Sequence, residues 1–159
     1  MAKARAAESA WNSALVVPLE YETQPGENID APVETEALIT YDSDALYVGF
    51  RAYDPEPDKI VANRMARSEI LFYDDGFNIQ LDTFHDRRNG FFFQVNPNGG
   101  RRDGSFARDF FEENWDGIWY ASATALIFCA AVIPPTRLVS YCSTDTALSC
   151  CSWAQPRAW

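Results

Sequence analysis

Much that would announce a catalytic or nucleic-acid-binding protein is missing from this chain. There is a single histidine, His85, and no G-x-S-x-G elbow, so a nucleophilic triad has little to stand on. Basic residues are scarce: 13 Lys and Arg face 23 Asp and Glu, a formal net charge of -10 with a pI near 4.4. That balance argues against nucleic acid or an anionic membrane as partner and leaves neutral, cationic or metal ligands. No C-x-x-C pair and no D-x-D-x-D-G array is present. The longest apolar run, from Ala121 to Ile133, is shorter than the roughly 20 residues a spanning helix needs, so no membrane insertion by this chain is expected. Met1 to Ala10 holds Lys3 and Arg5 but no apolar h-region, so no signal peptide is visible.

Strand-forming alternation is plentiful. Phe77, Ile79, Leu81 and Thr83 alternate with Asn78, Gln80, Asp82 and Phe84, and Phe91, Phe93 and Val95 alternate with Phe92, Gln94 and Asn96. The polar stretch His85 to Asn89, followed by Gly90, joins them as a hairpin loop. Symmetric pairing about that loop sets Ile79 opposite Val95, Leu81 opposite Phe93, Gln80 opposite Gln94 and Asn78 opposite Asn96. Apolar then meets apolar and amide meets amide, whereas a slip of one residue mixes the faces.

Three further strands are legible. Glu36 to Tyr41 and Ala45 to Tyr53 alternate about the Asp42-Ser43-Asp44 turn and form a second hairpin, and Trp115 to Ala123 reads as another strand. Pro55 and Pro57 stop the second hairpin. Lys59 to Arg67 is open between a short helix and an edge strand, and Arg101 to Asn114 reads as a long surface loop. Trp11 is expected to plug a sandwich end, with a binding platform as the sharper alternative. Short strands, turn signals and no convincing amphipathic helix indicate an all-β fold, an antiparallel β-sandwich.

The end of the chain breaks with this pattern. All four cysteines, Cys129, Cys142, Cys150 and Cys151, lie beyond Leu126, where only Arg137, Asp145 and Arg157 are charged. Neither a period of 2 nor one of 3.6 is sustained there. We read 125–159 as an atypical Cys-containing tail, outside the native domain sequence and arising from a frameshift or misjoined reading frame. A disulfide-bonded extracellular tail is the other reading.

Trp11, YDSDALYVGFRAYDPEPDKIVA from Tyr41, DDGFNIQLDTFHDRRNGFFFQVNPNGG from Asp74 and WDGIWYASA from Trp115 occur in an order that resembles the family 9 carbohydrate-binding module over residues 8–124. The likeness is to the version at the N-terminus of large bacterial cell-envelope proteins. It implies a jelly-roll or immunoglobulin-like sandwich, here incomplete at both ends. It also implies non-catalytic binding of an oligo- or polysaccharide of plant type, such as xylan or cellulose. Tryptophans stack on a terminal sugar and calcium ions support the fold in such modules, which are commonly attached to polysaccharide-degrading enzymes. A periplasmic, outer-envelope or secreted location follows from the same resemblance.

Sugars present hydroxyls and an apolar ring face, so a site needs amides and carboxylates beside a flat aromatic. The candidate residues are Asn78, Gln80, Asp82, Gln94 and Asn96, with Phe92, Trp115 and Trp119 for stacking; alternation turns Trp119 outward if Ile118 and Tyr120 face the core, and packing under the 101–114 loop is the equal alternative. The same face also suits the plain solvated side of an antiparallel sheet. Asp54, Asp74, Asp75 and Asp103 are expected in loops, where they are candidate calcium ligands or turn caps. Asp82 and Asp86 flank His85 as a glycosidase-like carboxylate pair, although pairing with Arg87 and Arg88 is the plainer reading. Carbohydrate binding therefore stands beside two alternatives, a structural domain of an envelope protein and a glycoside hydrolase fragment.

Overall fold

The computed structural model describes residues 11–22, 27–43, 45–67, 70–71, 73–108, 110–124, 128–133 and 147–151. The strands are β1 (Leu15–Pro18), β2 (Tyr21–Glu22), β3 (Ile29–Asp30), β4 (Thr35–Tyr41), β5 (Leu46–Ala52), β6 (Phe77–Asp82), β7 (Asn89–Val95), β8 (Arg101–Ala107), β9 (Phe110–Glu112), β10 (Tyr120–Thr124), β11 (Phe128–Ile133) and β12 (Ala147–Cys151). One sheet runs β1-β4-β5-β11-β10 and a second runs β12-β6-β7-β8-β9, with β2 and β3 as a separate ribbon. All ladders are antiparallel, so the fold is an all-β sandwich. Among the described residues no helix is long and apolar enough to cross a membrane.

Alternation on each sheet supplies one apolar face, and the two faces meet. Ala37, Val48 and Phe50 from the first sheet pack against Ile79, Leu81, Phe93 and Val95 from the second. Phe50 stacks on Phe77 with ring centroids 4.3 Å apart and planes 7° from parallel. Burying a side chain of this size stabilises by about 1.5–3 kcal/mol, so this seam dominates the cohesion of the sandwich.

Both expected hairpins are present, β4 with β5 and β6 with β7, but the central one pairs in a different register. Phe77, Ile79 and Leu81 lie opposite Val95, Phe93 and Phe91, and Asn78 and Gln80 lie opposite Gln94 and Phe92. The offset from the symmetric expectation is two residues, which preserves the faces. Its cause is at the turn. Asp82 ends β6 and accepts the backbone N–H of Asp86 at 3.2 Å and of Arg87 at 2.8 Å, so Thr83 and Phe84 belong to the loop.

Three other expectations change. Arg101–Ala107 and Phe110–Glu112 pair as the β8–β9 strands where a surface loop is expected; Arg101, Asp103 and Ser105 disguise the alternation because the inward row is polar. The expected strand from Trp115 begins only at Tyr120. The open segment 59–67 is neither helix nor strand: a single 3-10 turn, Pro57–Lys59, ends at its first residue and the remainder is irregular. Despite its lack of period, the region beyond residue 124 contributes β11, between β5 and β10, and β12, along β6.

A buried polar knot fixes the end of the central hairpin. Asn96, fully buried, donates from Nδ2 to the Arg64 carbonyl at 2.6 Å and to Asp74 Oδ2 at 2.8 Å, while its Oδ1 accepts the Gly100 N–H at 2.7 Å. Asp74 also accepts the N–H groups of Asn63 and Arg64 and the Arg64 guanidinium. Burial alone raises the pKa of Asp74. The Arg64 N–H, the Asn96 amide, the Asn63 N–H and the Arg64 charge outweigh it and hold the carboxyl below its ordinary value.

Because that pKa is depressed, the stabilisation is present above the unfolded carboxylate value, about 3.9, and fades as pH falls through the lower folded value. Asp74→Asn is expected to lower stability by about 1–3 kcal/mol at neutral pH and to flatten the acid limb of a urea-midpoint series taken between about pH 5 and 2. Trp119→Ala, which empties a core position, is expected to cost about 3–5 kcal/mol by chemical denaturation.

Candidate functional site

The outward face of the β6–β7–β8 sheet is built by the same alternation that makes the core. Asn78 and Gln80 of β6, Phe92 and Gln94 of β7, and Arg102, Gly104 and Phe106 of β8 share it. Two glycines shape it. Gly90 lies opposite Phe106 and Gly104 opposite Phe92, and a Cβ at Gly90 would lie 2.6 Å from the Phe106 ring. At Gly104 a Cβ would collide with the Phe92 ring and stand 2.8 Å from the Glu112 carbonyl. Each ring therefore lies flat across the neighbouring strand, in space that any side chain would fill.

Above Phe92 sits Phe111 of β9, stacked at 4.3 Å with planes 27° apart. Arg102 holds its guanidinium 5.7 Å from the Phe92 centroid and 5.6 Å from that of Phe111, in cation-π range, and donates to Glu113 at 2.6 Å. Phe92 is thereby buried, and the ring left half exposed to solvent, at 45%, is Phe111.

The amide row divides. Gln80 and Gln94 are half-buried, and their carboxamides make no hydrogen bond to another described side chain or backbone group. Asn78 is half-buried, but its Oδ1 is closed off from solvent without a hydrogen-bond partner among the described residues. Asn96 leaves the face altogether for the buried knot. Asp82 holds the loop through two backbone N–H groups.

Neither tryptophan stands on this face. Trp119, for which the sequence allows an outward platform and packing beneath residues 101–114 equally, is buried in the core and meets Phe93 edge to face at 5.3 Å, while Ile118 and Tyr120 are exposed. Trp115 is half-buried against Phe91 at 4.7 Å and Phe93 at 5.9 Å. The inward placement arises because 115–119 is not a strand and local alternation does not govern it. Long-range polar contacts do: Asp103 accepts the Gly117 N–H at 2.5 Å, and Arg67 reaches Asp103, Asp116 and the Gly117 carbonyl. Arg101 adds a hydrogen bond to the Trp119 carbonyl at 2.8 Å with its guanidinium over the indole. Trp11, half-buried, packs edge to face on Tyr47 across the outside of the other sheet.

The four candidate calcium ligands are dispersed. Asp54 caps the Glu56 N–H, Asp75 accepts from Val61, Asp74 belongs to the Asn96 knot and Asp103 lies within β8 rather than in a loop. Among the described residues no three His, Cys, Asp or Glu side chains are grouped as a metal site. The suggested carboxylate pair is likewise committed to the loop. Asp86 accepts from the Arg88 and Asn89 N–H groups at 2.8 Å each and from the Asn89 side chain at 2.5 Å. The Asn89 side chain, then its N–H and that of Arg88, with a smaller contribution from the Arg88 charge, lower the Asp86 pKa. The expected pairing with Arg87 and Arg88 is thus made mainly through their backbones.

Phe111, Arg102 and the two glycines were not singled out from the sequence. The signal was present as Arg102-x-Gly104-x-Phe106, a period of two whose small and polar members hid it.

No family model matches the chain and no curated relative was found. Among solved structures it is similar to a family 9 carbohydrate-binding module from Caldicellulosiruptor kristjanssonii, determined in complex with cellotriose. The TM-score is 0.51 at 18% identity, over 78% of this chain and 57% of that one. The chain therefore spans little more than half the length of that structure, and what the two share is the fold: this chain is an antiparallel β-sandwich with the fold of that module.

Proposed function

We propose that the chain binds carbohydrate without acting on it, through the outward face of β6, β7 and β8. The observation that carries this reading is the pairing of two unengaged carboxamides, Gln80 and Gln94, with the half-exposed Phe111 ring beside Arg102. Carboxamides offer a donor and an acceptor to vicinal hydroxyls, and an aromatic face accepts the axial C–H side of a sugar ring. The similar module's cellotriose supports a neutral β-linked glucan or a related plant-type glycan as the ligand class. We further propose that the domain works outside the cytoplasm within a longer protein, attached to a glycoside hydrolase or an envelope domain; here the support is the family resemblance.

The first test is isothermal titration of the folded chain with cellotriose and xylo-oligosaccharides. Phe111→Ala is expected to weaken binding by about tenfold, the equivalent of roughly 1.4 kcal/mol of lost stacking, with little change in melting temperature. Gln80→Ala and Gln94→Ala are each expected to weaken it by about three- to tenfold, as for loss of one or two neutral hydrogen bonds. Absence of measurable heat with every neutral oligosaccharide would overturn the reading.

A further inference from the structure

A cluster of arginines lies just beyond the ends of β7 and β8 that join at Asn89 and Ala107. Reading along their ladder in steps of two gives Gln94 opposite Arg102, Phe92 opposite Gly104 and Gly90 opposite Phe106. Just past the last pair of the ladder, Asn89 opposite Ala107, the Arg108 N–H donates to the Arg88 carbonyl at 2.6 Å and holds the two arginine backbones together. Arg87 precedes this pair in the same loop. Arg102 and the Arg88–Arg108 pair thus stand six residues apart, about 20 Å in an extended strand, with the aromatic row between them.

Three features set this arginine corner apart. First, two residues of like charge, Arg88 and Arg108, are joined through their backbones just beyond the strand ends. Arg64, Arg67 and Arg102 each have a carboxylate partner, whereas no carboxylate among the described residues forms an ion pair within 4.0 Å with the guanidinium of Arg87, Arg88 or Arg108. The nearby acids, Asp82 and Asp86, spend their oxygens on backbone N–H groups and the Asn89 amide. Lastly, Arg87 and Arg108 hold left-handed backbones at φ of 56°, a conformation that non-glycine residues enter at a cost. All three side chains are exposed on a protein whose net charge is -10.

We infer that this corner receives a carboxylate carried by the glycan, so that the preferred ligand is a mostly neutral chain bearing sparse uronic acid groups. The inference rests on the carbohydrate-binding reading for the position of the sugar backbone. A guanidinium matches a carboxylate through two parallel N–H···O bonds. The overall negative charge selects against a densely charged polyanion, so one acid group among neutral sugars fits both the corner and the body.

The test compares a β-1,4-linked oligosaccharide carrying one uronate side group with the same oligosaccharide after reduction of its carboxyl to the alcohol. Both are titrated into the chain and into an Arg87→Gln, Arg88→Gln, Arg108→Gln variant. The acid form is expected to bind about fivefold or more tightly than the reduced form in about 20 mM salt. That advantage should shrink below about twofold in about 500 mM salt, as screening of exposed charges requires. The variant should lose the advantage while still binding the reduced form. If the triple variant does not fold, Arg88→Gln and Arg108→Gln are compared singly. Equal affinity for acid and reduced forms, or an advantage unchanged in the variants, would overturn the inference while leaving the neutral face intact. Binding of the acid form alone, lost in the variants, would support the corner and sink the neutral face. Failure of both oligosaccharides to bind the folded chain would overturn both.

Discussion

Everything on both faces of the second sheet depends on where β6 stops. Asp82 binds two loop N–H groups, and Asp86 binds two more, so the chain leaves the strand immediately after Asp82 and re-enters at Asn89. The loop also accepts left-handed backbones at His85 and Arg87, which these charge-assisted bonds offset. With the turn set, the register of β7 and then of β8 follows, and with it the side of the sheet on which each residue lies. A shift by one residue would drive Asn78, Gln80 and Gln94 into the core and lift Ile79 and Phe93 out of it.

The outward face is then made by subtraction as much as by addition. Gly90 and Gly104 leave room for Phe106 and Phe92 to lie across neighbouring strands, and Phe111 rests on Phe92. Arg102 spans the two stacked rings and is tied by Glu113, so a cation is held at a sheet surface inside an acidic protein. The result is a flat apolar strip with carboxamides along one side, which matches the mixed polarity of a sugar.

At the opposite end of the sheet, polar groups do structural work. Asn96 and Asp74 gather the 61–64 segment and the Asn96 to Gly100 turn into one buried network. Asp103 and Arg67 do the same for the segment from Trp115 to Gly117. Acids that loop placement would make metal ligands are consumed in this way, because a buried carboxylate needs every lone pair engaged.

How much could be read beforehand follows from the range of each interaction. By itself the sequence determined the all-β class, the β4–β5 and β6–β7 hairpins and the sidedness of Phe77, Ile79, Leu81, Phe93 and Val95, because a period of two acts between neighbours along the chain. It also marked Gln80 and Gln94 as outward amides. Tertiary structure alone decided that Trp119 turns inward, that Phe92 is covered while Phe111 is the exposed ring, and that Asp74 and Asn96 are buried together. Those outcomes rest on contacts such as Arg67 to Gly117, 50 residues apart, and Asn96 to Asp74, 22 apart, which no local pattern encodes.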